Sequence, residues 1–188
     1  MKLDHLNDET IKEILMIQDR LKVMDAKSES RDSFLGYIKH VWPEFIEGEH
    51  HRLFAQKLED VAKGKIKRLI VNMPPRHTKS EFASVYFPSW FMGLKPNTKI
   101  MQTTHTAELS VRFGRKVRNL MDQNEYKQLF DDFGLSADSK SAGRWETNKG
   151  GEYFAAGVGG AITGRGADLL IIDDPHSEQD AMSPSALE

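Results

Sequence analysis

The sequence predicts an α/β fold, a mainly parallel central sheet flanked by helices and preceded by a helical N-terminal segment. Two patterns carry this. Up to about residue 63 the apolar residues recur at helical spacing. From residue 67 onward, short apolar runs of strand length alternate with amphipathic stretches. A third observation limits the class: no uncharged apolar run approaches the roughly 20 residues that a membrane-spanning helix needs.

Each element follows from its local pattern. In residues 9–25, Ile11, Ile14, Leu15, Gln18 and Leu21 share one face, which predicts a helix. The polar run "DAKSESRDS" is expected to end it. Residues 32–41 predict a second helix, stopped near Pro43. Residues 49–63 predict a third, with Leu53, Phe54, Lys57, Leu58 and Val61 on one side and Gly64 as its stop. "KRLIVNM" (67–73) has the character of a buried strand, and a helix is expected from Lys79 to about Met92. "NTKIMQTT" (97–104) predicts the next strand. Residues 106–122 form an amphipathic helix with Leu109, Phe113, Val117, Leu120 and Met121 as its stripe. "RWETNKGGEYFAAG" (144–157) reads as a hairpin turning at 148–151. "GVGGAITGRG" (157–166) is a glycine-rich loop, and "ADLLIIDDP" (167–175) a buried strand that ends in two carboxylates. Residues 1–42 thus form a helical segment and 43–188 the α/β domain.

Composition narrows the function classes. The 188 residues suffice for one core with a small helical appendage. With 26 basic and 28 acidic residues the net charge is −2, so only a local patch would hold nucleic acid. There is no cysteine, which excludes disulfides and thiolate metal sites. The N-terminus lacks the apolar core of a signal peptide, so a cytoplasmic location is expected.

Three stretches have the residue types for phosphate chemistry. "NMPPRHTKSE" (72–81) ends in Lys-Ser between a predicted strand and a predicted helix, as in the G-x-x-x-x-G-K-[ST] phosphate loop. Met73 and Thr78 stand at its two glycine positions. In the functional reading, Pro75, Arg76, His77, Thr78, Lys79 and Ser80 line an ATP phosphate site. Lys79 reaches the outer phosphates, Ser80 binds Mg²⁺ and Arg76 adds a second cation. The competing reading is a Pro-containing turn with an exposed Lys and a Ser cap. "LLIIDDP" delivers Asp173 and Asp174 to a strand end, where ligands of α/β sheets bind. Asp173 suits Mg²⁺ and Asp174 the activation of an attacking water, although a strand-end Asp pair is also a common turn. In "GAITGRGAD", glycines flank Arg165, whose guanidinium suits charge on a transferring phosphoryl group; the alternative is a surface Arg. His50, His51 and His105 show no metal-ligand spacing. The basic run 112–119 has the charge for a phosphate contact, but such a run is more often the solvated side of a helix.

In this order, the three stretches resemble the ATPase region of the large terminase subunit of tailed bacteriophages. "MPPRHTKSE" resembles that family's Walker A motif. "TTHTAELSVRFGRKVRNLM" resembles the strand and helix that follow it, and "GGEYFAAGVGGAITGRGADLLIIDDPH" the approach to Walker B and Walker B itself. The resemblance spans about Trp42 to Pro175. It implies a P-loop NTPase fold of the ASCE type, of which 43–188 is a partial ATPase domain. It further implies an ATP- and Mg²⁺-dependent motor that packages double-stranded viral DNA in the cytoplasm of the infected bacterial host. A portal protein, a small terminase subunit and a homo-oligomeric ring are the implied partners. Asp174 would be the catalytic carboxylate, Asp173 and Ser80 the Mg²⁺ ligands, and Arg76 the loop arginine. Arg165 would be a finger acting on a neighbouring subunit's ATP, and residues around Phe45–His51 stand where the family contacts adenine. Thr78 departs from the family's glycine, and Asp174 from its frequent glutamate. The resemblance also implies that the C-terminal nuclease is absent and that the sheet lacks the strand between those of Walker A and Walker B. A helicase-like ATPase and a degenerate, non-catalytic binding module are the alternatives.

Overall fold

A computed structural model of the protein describes residues 8–137, 141–160, 162, 164–177 and 182. It is a mixed α/β structure built on a four-stranded, mostly parallel sheet. Three helices come first: α1 (Asp8–Asp32), α2 (Phe34–Val41) and α3 (Glu49–Ala62). The polar run expected to end the first helix stays helical. Its C-terminal end is anchored, because the Trp90 indole N–H donates to the Arg31 carbonyl at 2.8 Å and Lys27 pairs with Asp131 at 2.7 Å. The chain turns at the single residue Ser33, which caps α2 by accepting the Gly36 N–H.

In α3 the buried face is rotated from the predicted one. It comprises His51, Phe54, Ala55, Leu58 and Ala62, and leaves Leu53 59 % exposed. Ala55 and Ala62 are too small, and His51 too polar, to mark that face in the apolar pattern.

The run 67–73 does not join the sheet. Its apolar residues have the composition of a strand but no ladder partner among the described residues, and Ile70 is 88 % exposed. The chain then enters a continuous helical stretch: α4 (Lys79–Glu81), a π-helical turn (Phe82–Tyr86) and α5 (Phe87–Leu94). The wide turn lies just before Pro88, which has no N–H to return to the preceding turn.

The remaining elements are β1 (Lys99–Thr104), α6 (Ala107–Met121), α7 (Asn124–Leu129), β2 (Arg144–Glu146), β3 (Glu152–Gly157) and β4 (Leu169–Ile172). The strand order is β2-β3-β1-β4. β1 runs parallel to both β3 and β4, and β2 returns antiparallel to β3 through the expected hairpin. α6 is capped by Thr106, whose hydroxyl accepts the Leu109 N–H. It lies close on the sheet at Gly114, where a Cβ would come within 2.7 Å of the Ala142 carbonyl and 3.0 Å of the Tyr153 ring. There Trp145 donates its indole N–H to the Gly114 carbonyl and stacks on Tyr153 at 4.8 Å. On the opposite sheet face Leu170 and Ile172 are more than half exposed, and among the described residues β4 has no strand on its outer side. Among the described residues no helix is long and apolar enough to cross a membrane.

The helical layers meet in an aromatic core. Phe34 lies edge-on to Phe82 at 5.6 Å and to Phe87 at 5.8 Å, and 5.2 Å from Trp90. Its own N–H donates to Glu59 of α3 at 2.9 Å. Replacing a fully buried ring leaves a cavity among rings that cannot collapse into it. Phe34→Ala is therefore expected to lower stability by about 3–5 kcal/mol, read as a fall in the chemical-denaturation midpoint.

Candidate functional site

Parallel pairing of β4 with β1 sends Asp173 and Asp174 to the C-terminal end of the sheet. The ladder continues past Ile172, with the Asp173 N–H donating to Thr103 and the His105 N–H to the Asp174 carbonyl. Side chains of consecutive strand residues point to opposite faces. Asp174 breaks that alternation, because its φ is +45°. Both carboxylates thereby come within reach of one ammonium. Lys79 Nζ lies 2.6 Å from Asp174 Oδ1 and 3.9 Å from Asp173 Oδ1, bridging 95 residues of sequence in the first case. The two carboxylates differ in setting: the Asp173 side chain is 7 % exposed and that of Asp174 63 %.

Asp173 is held from behind. Its Oδ2 accepts from the Ser84 hydroxyl at 2.8 Å, and Ser84 Oγ in turn accepts from the Gln102 amide at 3.1 Å. Ser84 belongs to the π-helical turn and Gln102 to β1, and both are fully buried. This chain ties the helix to the sheet beneath the site. Sequence reading missed both residues. The only sign was a small polar residue inside the apolar run "FASVYF", four places after Ser80.

The loop before α4 contains no glycine, yet Arg76 (φ +64°) and Thr78 (φ +61°) are both left-handed. That conformation costs a side-chain-bearing residue about 1–2 kcal/mol. Two local bonds tighten the turn. The His77 ring meets the Pro75 carbonyl through Nδ1 at 2.9 Å, and the Thr78 hydroxyl donates to the His77 carbonyl at 2.6 Å. From outside the loop, His51 Nε2 lies 2.7 Å from Thr78 Oγ1. The ring of His51 packs on Phe82 and Phe45, and Phe45 leads on to Trp42, which stacks on Tyr86. Burial, the nearby His50 and, more weakly, His77 push the His51 pKa down, against the pull of Glu47.

The structure thus brings Lys79, Asp173 and Asp174 together, with Pro75, Arg76, His77, Thr78 and Ser80 on the same segment as Lys79. It does not bring Arg165 there. Arg165 pairs with Glu152 at 3.2 Å and lies 4.1 Å over the Phe154 ring, beside Lys99. Those residues mark the N-terminal end of the parallel strands, roughly 16 Å of strand away from the aspartates. Among the described residues no group of three His, Asp or Glu side chains is placed to hold a metal. Asp173 and Asp174 bring carboxylate oxygens to the strand end, and Ser80 follows Lys79 in the first turn of α4.

Comparison of the chain with protein-family models, with curated proteins and with solved structures gave no match.

Removing the Ser84 hydroxyl leaves a buried carboxylate oxygen without its donor. Ser84→Ala is expected to cost about 1–3 kcal/mol of stability, measured by denaturant unfolding at neutral pH.

Proposed function

We propose that this chain is an ATP-hydrolysing P-loop module of the ASCE type, corresponding to the ATPase region of a phage terminase large subunit. The observation that carries the reading is the meeting of Lys79 with Asp173 and Asp174 at the C-terminal end of the sheet. A lysine at the start of a helix and an acidic pair at the end of a parallel strand is the arrangement that phosphoryl transfer from a nucleotide uses.

The chemistry follows from charge and exposure. On nucleotide binding, the Lys79 ammonium exchanges the Asp174 carboxylate for the outer phosphate oxygens and neutralises part of their charge. Ser80 and buried Asp173 would hold Mg²⁺, which would supply neutralisation of the phosphate charge. Release from Lys79 leaves Asp174, the exposed carboxylate, to orient the attacking water and accept its proton. Arg76, on the same loop, adds positive charge beside the phosphates. Arg165 faces away from its own chain's site, so in this reading it serves a neighbouring subunit in a ring. Double-stranded DNA as the cargo, portal and small-subunit partners, and action in the host cytoplasm belong to the same proposal.

MgATP binding and steady-state phosphate release test it. Lys79→Ala is expected to abolish binding. Asp174→Asn is expected to keep binding while lowering turnover by roughly 10²–10⁴-fold, the range of a lost general base. No MgATP binding by the wild-type chain would overturn the proposal and favour a non-catalytic binding module.

Arg165→Ala separates the cis and trans readings. The wild-type turnover per chain is expected to rise with protein concentration, and the variant is expected to lose that rise while its nucleotide affinity stays unchanged. Turnover independent of concentration and of Arg165 would remove the residue from the reaction.

A further inference from the structure

The loop that presents Lys79 holds Thr78 in a backbone conformation that glycine adopts freely and a β-branched residue does not. Something must offset that strain, and the hydrogen bonds around Thr78 have only one consistent direction. The Gly48 N–H donates to His51 Nδ1 at 2.9 Å, so that nitrogen is an acceptor and carries no proton. Neutral His51 therefore has its proton on Nε2, which faces Thr78 Oγ1 at 2.7 Å and donates to it. The Thr78 hydroxyl spends its own proton on the His77 carbonyl at 2.6 Å. Three bonds run one way, from the start of α3 through the imidazole into the loop.

We propose that His51 is a positioning residue for this loop: its Nε2–H bond holds Thr78 left-handed, so that histidine and threonine together do what a glycine would do alone. The ring is well placed for this. It is 6 % exposed and is wedged between Phe45 at 4.8 Å and Phe82 at 5.1 Å, so it cannot swing away without opening the core. Phe82 itself follows directly on α4, which begins with Lys79. A glycine in place of Thr78 would leave His51 without this task.

The arrangement requires the neutral imidazole. A proton on Nδ1 would set two N–H groups against each other at Gly48. The titratable groups that influence the ring are His50 on its own helix, His77 on the Pro-rich loop and Glu47 on the preceding turn. Glu47 is occupied by Lys39 and Arg52. With the His51 pKa lowered by folding, the folded state binds fewer protons than the unfolded chain. This contribution to stability is full above the unfolded value of 6.5 and is lost as pH falls through the folded value.

A double-mutant cycle tests the pairing with wild type, His51→Ala, Thr78→Gly and the double variant. Ring packing on Phe82 is lost equally in both backgrounds and cancels. The consequence for nucleotide rests on the ATPase reading above, so the cycle is read in two ways: the denaturation midpoint at pH 8, and MgADP affinity. His51→Ala is expected to weaken MgADP binding about five- to tenfold more in the wild-type background than in the Thr78→Gly background, which is the worth of one hydrogen bond. The midpoint is expected to show the same non-additivity. Nitrogen NMR is expected to find the Nε2–H tautomer of His51 at neutral pH, and a titration below that of an ordinary histidine. Thr78→Val, which keeps the branch and loses the hydroxyl, is expected to behave like His51→Ala, and Thr78→Ser like wild type. Additive midpoints, or an Nδ1–H tautomer, would overturn the proposal. A chain that binds no nucleotide but shows coupled midpoints would sink the ATPase reading and leave His51 in this role.

Discussion

The helical stretch from residue 79 to 94 is buried on nearly every side, and the rest of the molecule is arranged around that constraint. Phe82, Phe87, Trp90, Phe91 and Met92 all enter the main core. α1 and α2 reach the stretch through Phe34 and the Trp90 indole, and α3 through Phe54. α6 is tied to its start by the ion pair between Glu81 and Lys116. A helix gripped this way cannot slide or rotate. Its first residue, Lys79, therefore has a fixed origin, although it sits at the end of a strained loop.

Polar groups buried beneath the apolar packing do a different task. Ser84 and Gln102 are costly to bury; the Ser84 hydroxyl and the Gln102 amide nitrogen bond in a chain that ends on Asp173, while Gln102 Oε1 is buried without a partner among the described residues. The wide turn that carries Ser84 gives the helix a place to offer a hydroxyl to the sheet without breaking its aromatic contacts. Asp173 is fixed while Asp174 stays accessible, so two identical side chains next to each other acquire different chemistry from their surroundings.

Much of the architecture was legible in the sequence, and the failures share a cause. The strands at 97–104, 152–157 and 169–172, the capped amphipathic helix and the acidic strand end all follow from local pattern. The run 67–73 has the same pattern and forms no strand, because a strand exists only where another chain segment pairs with it. The polar stretch at the end of α1 stays helical for the same kind of reason, through bonds to Asp131 and Trp90. α7 is six residues long, and its cap residue, Gln123, makes no side-chain capping bond. At the site, Lys79 and the two aspartates were expected from residue type and order. Ser84, Gln102 and the bond from His51 to Thr78 were not, since each links partners 18 to 89 residues apart. Arg165 is held within its own chain by Glu152 and Phe154, at the other end of the strands from the aspartates.

The placement of the three tryptophans gives the molecule an optical asymmetry. Trp90 and Trp145 are fully enclosed, so their emission is that of indole in a rigid apolar medium and reports only on whether the core is intact. Trp42 is partly exposed and stacked on Tyr86, and it touches the Phe45 ring that rests against His51. The red side of the emission band, where the more exposed indole contributes most, therefore samples the aromatic path to the Thr78 turn, while the blue side reports on the core.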